Sequence, residues 1–120
     1  MADTALERIQ TVADKDEAEL LRAIGREVLA RGLSAGETSP EEEEEEGRLY
    51  VHENTDRLRK AVCGSYVAQV IGGSGVSFDA YLAIAALADL IASVTVQVSP
   101  HTLAAYLLRV GIRRLCEPAG

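Results

Sequence analysis

The stretch AYLAIAALADLIASVTVQV, residues 80–98, decides the fold. Its nineteen residues are enough for a membrane span, with Leu82, Ile84, Leu87, Leu90, Ile91, Val94, Val96 and Val98 as apolar side chains. Asp89 stands at its middle. A carboxylate there costs about 2.5 to 3.5 kcal/mol on insertion scales, and Ser93, Thr95 and Gln97 add polar groups with no basic flank. No membrane partner is therefore expected. The stretch reads instead as the central helix of a bundle, apolar nearly all round because neighbours cover it. Its end, Val94-Thr95-Val96-Gln97-Val98, alternates with period two and offers a short extended segment as the alternative to helix.

Downstream, Ser99 is an N-cap with Pro100 at the first helical position, where a missing N–H costs nothing. The helix it starts runs to about Cys116 on the stripe Leu103, Tyr106, Leu107, Val110 and Leu115, with Arg109, Arg113 and Arg114 gathered near its negative end. Upstream, Gly72-Gly73-Ser74-Gly75 precedes Ser77 without the Lys-Ser/Thr pair of a phosphate loop, so it reads as a plain interhelical turn. The helix before it starts after Asn54 as N-cap and follows Leu58, Ala61, Val62, Tyr66, Val67, Val70 and Ile71, weakened near its middle by Gly64. Arg57, Arg59 and Lys60 in its first turns form a small basic patch.

Residues 4–33 carry a helical stripe, Leu6, Ile9 and Val12, then Leu20, Leu21, Ile24, Val28 and Leu29. Asp14, Lys15, Asp16 and Glu17 interrupt it. Asp14 with Glu17 three residues on resembles a capping pair, which favours two helices over one. Gly32, Gly36 and Pro40 act as stop signals, and the six adjacent charges Glu41, Glu42, Glu43, Glu44, Glu45 and Glu46 repel one another. Residues 34–47 are thus expected to be an extended, flexible linker.

The chain of 120 residues is 48% hydrophobic but only 4% aromatic, with no Trp and one Phe, so its core is aliphatic. The expectation is an all-α fold, a small bundle of about four to five helices in which dimerisation is available to complete the core. An acidic helical region (residues 1–33), the Glu-rich linker (34–47) and a hydrophobic helical core (48–120) would make up the chain. Charge follows the same division. Residues 1–47 hold 14 acids and 5 bases, whereas residues 48–120 hold 5 acids and 7 bases. The net charge of −7 argues against a general nucleic-acid binder, which needs excess Lys and Arg to displace phosphate counterions.

No catalytic, metal or cofactor residue is nominated. Cys63 and Cys116 match neither a zinc spacing nor a CxxC pair, so two buried reduced thiols are favoured over a disulfide. His52 and His101 have no carboxylate or thiol at ligand spacing. Asp89 is the most informative polar residue, and a buried carboxylate there would pair with Arg109 or Arg113. With no signal segment in residues 1–10, the expected compartment is the cytoplasm.

Plentiful apolar surface and few reactive groups favour a non-enzymatic interaction or oligomerisation module, an adaptor or scaffold. Its expected partner is protein, foremost a second copy meeting on Tyr81, Leu82, Leu87, Leu90 and Ile91 with Leu103 and Leu107 of the last helix. Two alternatives stand beside it. One is an acidic regulator docking a basic partner through Glu41 to Glu46, and the other a small ligand-binding protein using Asp89 with Arg109 or Arg113.

Overall fold

The computed structural model describes residues 5–31, 38–72, 80–94 and 98–117. Among them are eight helices and no strand: α1 (Ala5–Ala13), α2 (Glu17–Arg31), α3 (Pro40–Glu53), α4 (Thr55–Val62), α5 (Tyr66–Gly72), α6 (Ala80–Ile91), α7 (Pro100–Val110) and α8 (Ile112–Cys116). The all-α expectation holds. The number of helices exceeds it because the chain breaks where periodicity alone reads through.

The first break separates α1 from α2. Its capping pair is Asp16 with Glu19, two residues beyond the expected pair of Asp14 with Glu17. The Glu19 N–H donates to Asp16 Oδ1 at 2.8 Å and the Asp16 N–H to Glu19 Oε1 at 3.0 Å. Asp14 instead lies in the turn closed by the Lys15 N–H on the Val12 carbonyl, 3.2 Å away.

The second correction is larger. Residues 40–47 are not a linker but the first half of α3. Ser39 caps it in a reciprocal box: the Glu42 N–H donates to Ser39 Oγ and the Ser39 N–H to Glu42 Oε1, each at 3.1 Å. Pro40, expected as a stop, occupies the first helical turn, where its fixed φ favours a start. Glutamate is a good helix former, and the positive end of the helix favours acids. Like-charge pairs at helical spacing cost only about 0.2 to 0.5 kcal/mol each, whereas burying one large apolar side chain, as α3 does with Tyr50, contributes about 1.5 to 3 kcal/mol. Helix therefore wins over repulsion.

The helix is held by α2, which runs antiparallel to it. Arg22 reaches Glu44 and Arg26 reaches Glu43, both at 3.4 Å, and Arg48 meets Glu44 at 2.9 Å. Between these pairs the two backbones touch. A methyl group on Gly25 would overlap the Glu43 carbonyl, and one on Gly47 the Leu21 carbonyl.

Glu43 is buried and accepts from the Thr38 hydroxyl at 2.9 Å. That hydroxyl first, then the Arg26 guanidinium, hold its carboxyl below the ordinary value near 4.5, against the upward pull of desolvation. A carboxyl depressed in the folded state contributes stability above its unfolded pKa, lost as pH falls through the folded value. Urea midpoints should therefore fall on acidification below about pH 4.5, and less steeply in Glu43→Gln. Equal slopes in the two proteins would contradict the assignment.

Asn54 ends α3 rather than capping α4. Its Nδ2 donates back to the Tyr50 carbonyl at 2.8 Å, and no side-chain cap bond reaches α4. The helix expected from here to residue 71 is broken at Gly64, which takes φ +88, a conformation costly for residues with a side chain. Ser65 restarts it, its Oγ accepting from the Ala68 N–H at 3.1 Å and donating to the Val62 carbonyl at 2.6 Å. Gly111, at φ +110, likewise divides the last helix into α7 and α8.

Within residues 80–98 the chain forms α6 over twelve residues and then turns. No helix of the described residues is long and apolar enough to cross a membrane. The expected extended segment falls partly on residues 95–97, which lie outside the described residues, as does the glycine-rich turn after Gly72. α6 packs on α7, α1 and α4, while α2 lies between α3 and α7. Ile84, Leu87, Ile91, Leu58, Val62, Leu103, Leu20 and Ile24 form one aliphatic core, each at most 1% exposed.

The thiols also depart from expectation. Cys63 and Cys116 form a disulfide, with their Cα atoms 5.6 Å apart. Helical spacing could not show this, because the two residues meet only once Gly64 and Gly111 have broken their helices.

Candidate functional site

Helical arithmetic decides which groups α6 offers to the outside. Ile84, Leu87, Ala88 and Ile91 fall on one side and are buried, while Leu82, Asp89 and Ser93 fall on the other and are exposed, with Ala85 and Ala86 half-covered. Asp89 is thus a surface residue, not half of a buried ion pair. Arg109 points elsewhere, its Nη2 donating to the Ala13 carbonyl at 3.0 Å, where the end of α1 welcomes a cation. The side chain of Arg113 lies outside the described residues.

The expected interface divides in the same way. Leu87, Ile91 and Leu103 have no exposed surface and Leu107 is 2% exposed, so one chain covers them by itself. They cannot meet a partner without unfolding. Tyr81 and Leu90 are half-buried, and Leu82 alone of the seven is open, at 63% exposure. Leu49 and Tyr66 are the other large apolar side chains exposed among the described residues. Of the acidic run, Glu43 and Glu44 are engaged by Arg26, Arg22 and Arg48, and Glu42 closes the cap of α3. Glu41 and Glu45 are left as exposed carboxylates without these duties.

A cleft of about 460 Å³ that sequence reasoning did not locate opens at the head of α7. Glu7, Thr11 and Val12 of α1, Glu27 of α2, and Ser99, His101 and Thr102 line it. Ser99 does precede α7, but its hydroxyl makes no cap bond. The Glu27 carboxylate takes that duty from another helix: Oε1 accepts from the Ser99 N–H at 2.6 Å, and Oε2 from the Thr102 hydroxyl at a long 3.5 Å. A charged acceptor at a helix start satisfies an orphan donor and opposes the positive end of the dipole. Burial pushes the Tyr50 phenol up; the Arg57 charge opposes this and that of Glu27 reinforces it.

His101 Nδ1 is buried with no hydrogen-bond partner among the described residues. Two carboxylates, hydroxyls and one imidazole suit hydrogen-bond donors and positive charge better than anions. Among the described residues no three His, Cys, Asp or Glu side chains cluster as a metal set. The signal available in sequence was thin: a lone His one residue after a helix-opening proline, and a Glu whose partner lies 72 positions away.

These features define an all-α domain with a closed aliphatic core and one exposed leucine, Leu82, on the outward side of α6. In comparison with known proteins, no family model, curated protein or solved structure matches the chain.

Proposed function

We propose that the chain is a non-enzymatic interaction module, a cytoplasmic adaptor or scaffold, that pairs with a second copy through the outward face of α6. One observation carries this reading. Asp89 is the only charged residue of α6, yet one side of the helix faces solvent with Leu82 at 63% exposure. Apart from Asp89 that side offers Leu82 with the half-covered Ala85 and Ala86, and its own chain leaves this apolar group without cover. Ala85 and Ala86 beside Leu82 are small enough to let a second α6 approach closely, and an isologous contact would bury Leu82 from both copies.

Magnitudes set the strength. Two leucines contribute about 1.5 to 3 kcal/mol each, which by itself barely offsets an association cost of at least about 4 kcal/mol, so Ala85 and Ala86 of both copies must add to the buried area and the pair is weak and concentration-dependent. A net charge of −7 on each copy opposes association, and salt screens that repulsion. Pairing should therefore strengthen with ionic strength.

Leu82→Asp tests the reading, since its side chain faces solvent and the core is untouched. Sedimentation equilibrium should show a monomer at concentrations where the parent chain pairs, with an unchanged circular dichroism spectrum. A variant that pairs as the parent does would remove α6 from the interface.

A further inference from the structure

We propose that the Cys63–Cys116 disulfide is a redox-operated latch that fastens α8 to the end of α4, and that a dithiol reductant releases it. The inference does not depend on how α6 is used. Cys63 follows the last residue of α4 and Cys116 is the last residue of α8. Both are half-buried, Cys116 against the core, and the reach of a small reductant to the sulfurs is tested together with the latch.

The element being fastened is built to move as a unit. α8 has five residues, too few to hold a helical conformation without tertiary anchors. At its start the chain passes through Gly111 at φ +110, and beside the other sulfur it passes through Gly64 at φ +88. These are the only positive-φ residues among those described, and glycine adopts such backbone without steric cost. One lies at the root of α8 and the other beside its attachment point.

Besides the disulfide, α8 is held by Ile112 in the core, by Leu115 partly buried against it, and by one hydrogen bond. The Arg59 Nε donates to the Leu115 carbonyl at 2.8 Å, and Ile112 is buried near the Gly111 end. The disulfide closes the far end, so opening it leaves α8 attached through Gly111, the side chains of Ile112 and Leu115, and one guanidinium. Its packing surface is α5, another short helix, whose Ala68 is buried. Release of α8 turns that side of α5 toward solvent, next to the already exposed Tyr66.

The chemistry balances with the dithiol as co-reactant. Its thiolate attacks one sulfur of the bridge, forming a mixed disulfide and expelling the other cysteine as thiolate, which takes up a proton. The second thiol of the reductant then attacks the mixed bond. The reductant leaves as a cyclic disulfide, and two electrons and two protons have passed to Cys63 and Cys116. An oxidising disulfide reverses the exchange.

The test is amide hydrogen exchange on the full chain, oxidised and after treatment with excess dithiothreitol, with alkylation and mass measurement confirming two free thiols. Amides of Leu115 and Cys116, the two that can bond within α8, should exchange at least tenfold faster after reduction, while those of α2 and α3 keep their rates, and reoxidation should restore protection. Cys116→Ser should reproduce the reduced pattern without reductant. Unchanged exchange in α8 after complete reduction would overturn the latch, and so would a uniform loss of protection in all helices, which marks a staple for the whole fold. A bridge that resists excess dithiothreitol in the folded protein would overturn it as well.

Discussion

Replacing Gly47 by alanine is expected to destabilise the protein by about 3 kcal/mol or more, the upper end for overpacking. On an exposed helix the same change would stabilise by up to about 1 kcal/mol, because alanine is the better helix former. The sign is reversed here by the meeting of α2 and α3. The added methyl would overlap the Leu21 carbonyl, a backbone atom that no change of rotamer can move. The helices would have to separate, stretching the pairs of Arg22 with Glu44 and Arg26 with Glu43. Gly25→Ala meets the Glu43 carbonyl and should behave alike. Urea midpoints of both variants check this, and a midpoint at or above the parent's would mean that α2 and α3 do not cross at these glycines.

The second large effect separates core from surface on a single helix. Leu87 has no exposed surface and lies in the core with Ile84 and Ile91. Leu87→Ala should cost about 2 to 5 kcal/mol, and Leu87→Asp more, since a carboxylate there is both desolvated and unpaired. Against a typical total stability of about 5 to 15 kcal/mol, the aspartate variant should be largely unfolded at room temperature. Five residues earlier, Leu82→Asp should melt within a few degrees of the parent. Thermal melts followed by circular dichroism read both. Equal melting temperatures for Leu82→Asp and Leu87→Asp would mean that the two leucines do not lie on opposite faces of α6.

The contrast between those leucines shows what was legible in the sequence. Helix as the class, α6 as the centre and most core positions follow from spacing, because burial leaves a 3.6-residue mark on composition. The face of α6 was legible too, since Leu82, Ala86, Asp89 and Ser93 stand at intervals of three and four. Reading the helix as uniformly apolar hid that Asp89 marks its outer side.

The Glu run was misread for a different reason. Charge density argues for an extended chain only when nothing offsets it, and Ser39-Pro40-Glu41-Glu42 is a capping signature that does so locally. Arg22 and Arg26 offset it from 22 and 17 positions away, which no window along the chain can see. The disulfide, the capping of α7 by Glu27 and the cleft beside His101 share that character. Each is made by residues brought together only after the breaks at Asp14, Gly64 and Gly111 have set the helix directions.

On the proposed reading one chain closes its own core and still leaves the Leu82 side of α6 to pair with a second copy. Static light scattering on the eluting chain, at two concentrations and in low and high salt, tests it most directly. The mass should be near 12.8 kDa when dilute in low salt and rise toward twice that value with concentration and with salt. A mass of 12.8 kDa under all four conditions would contradict pairing through α6.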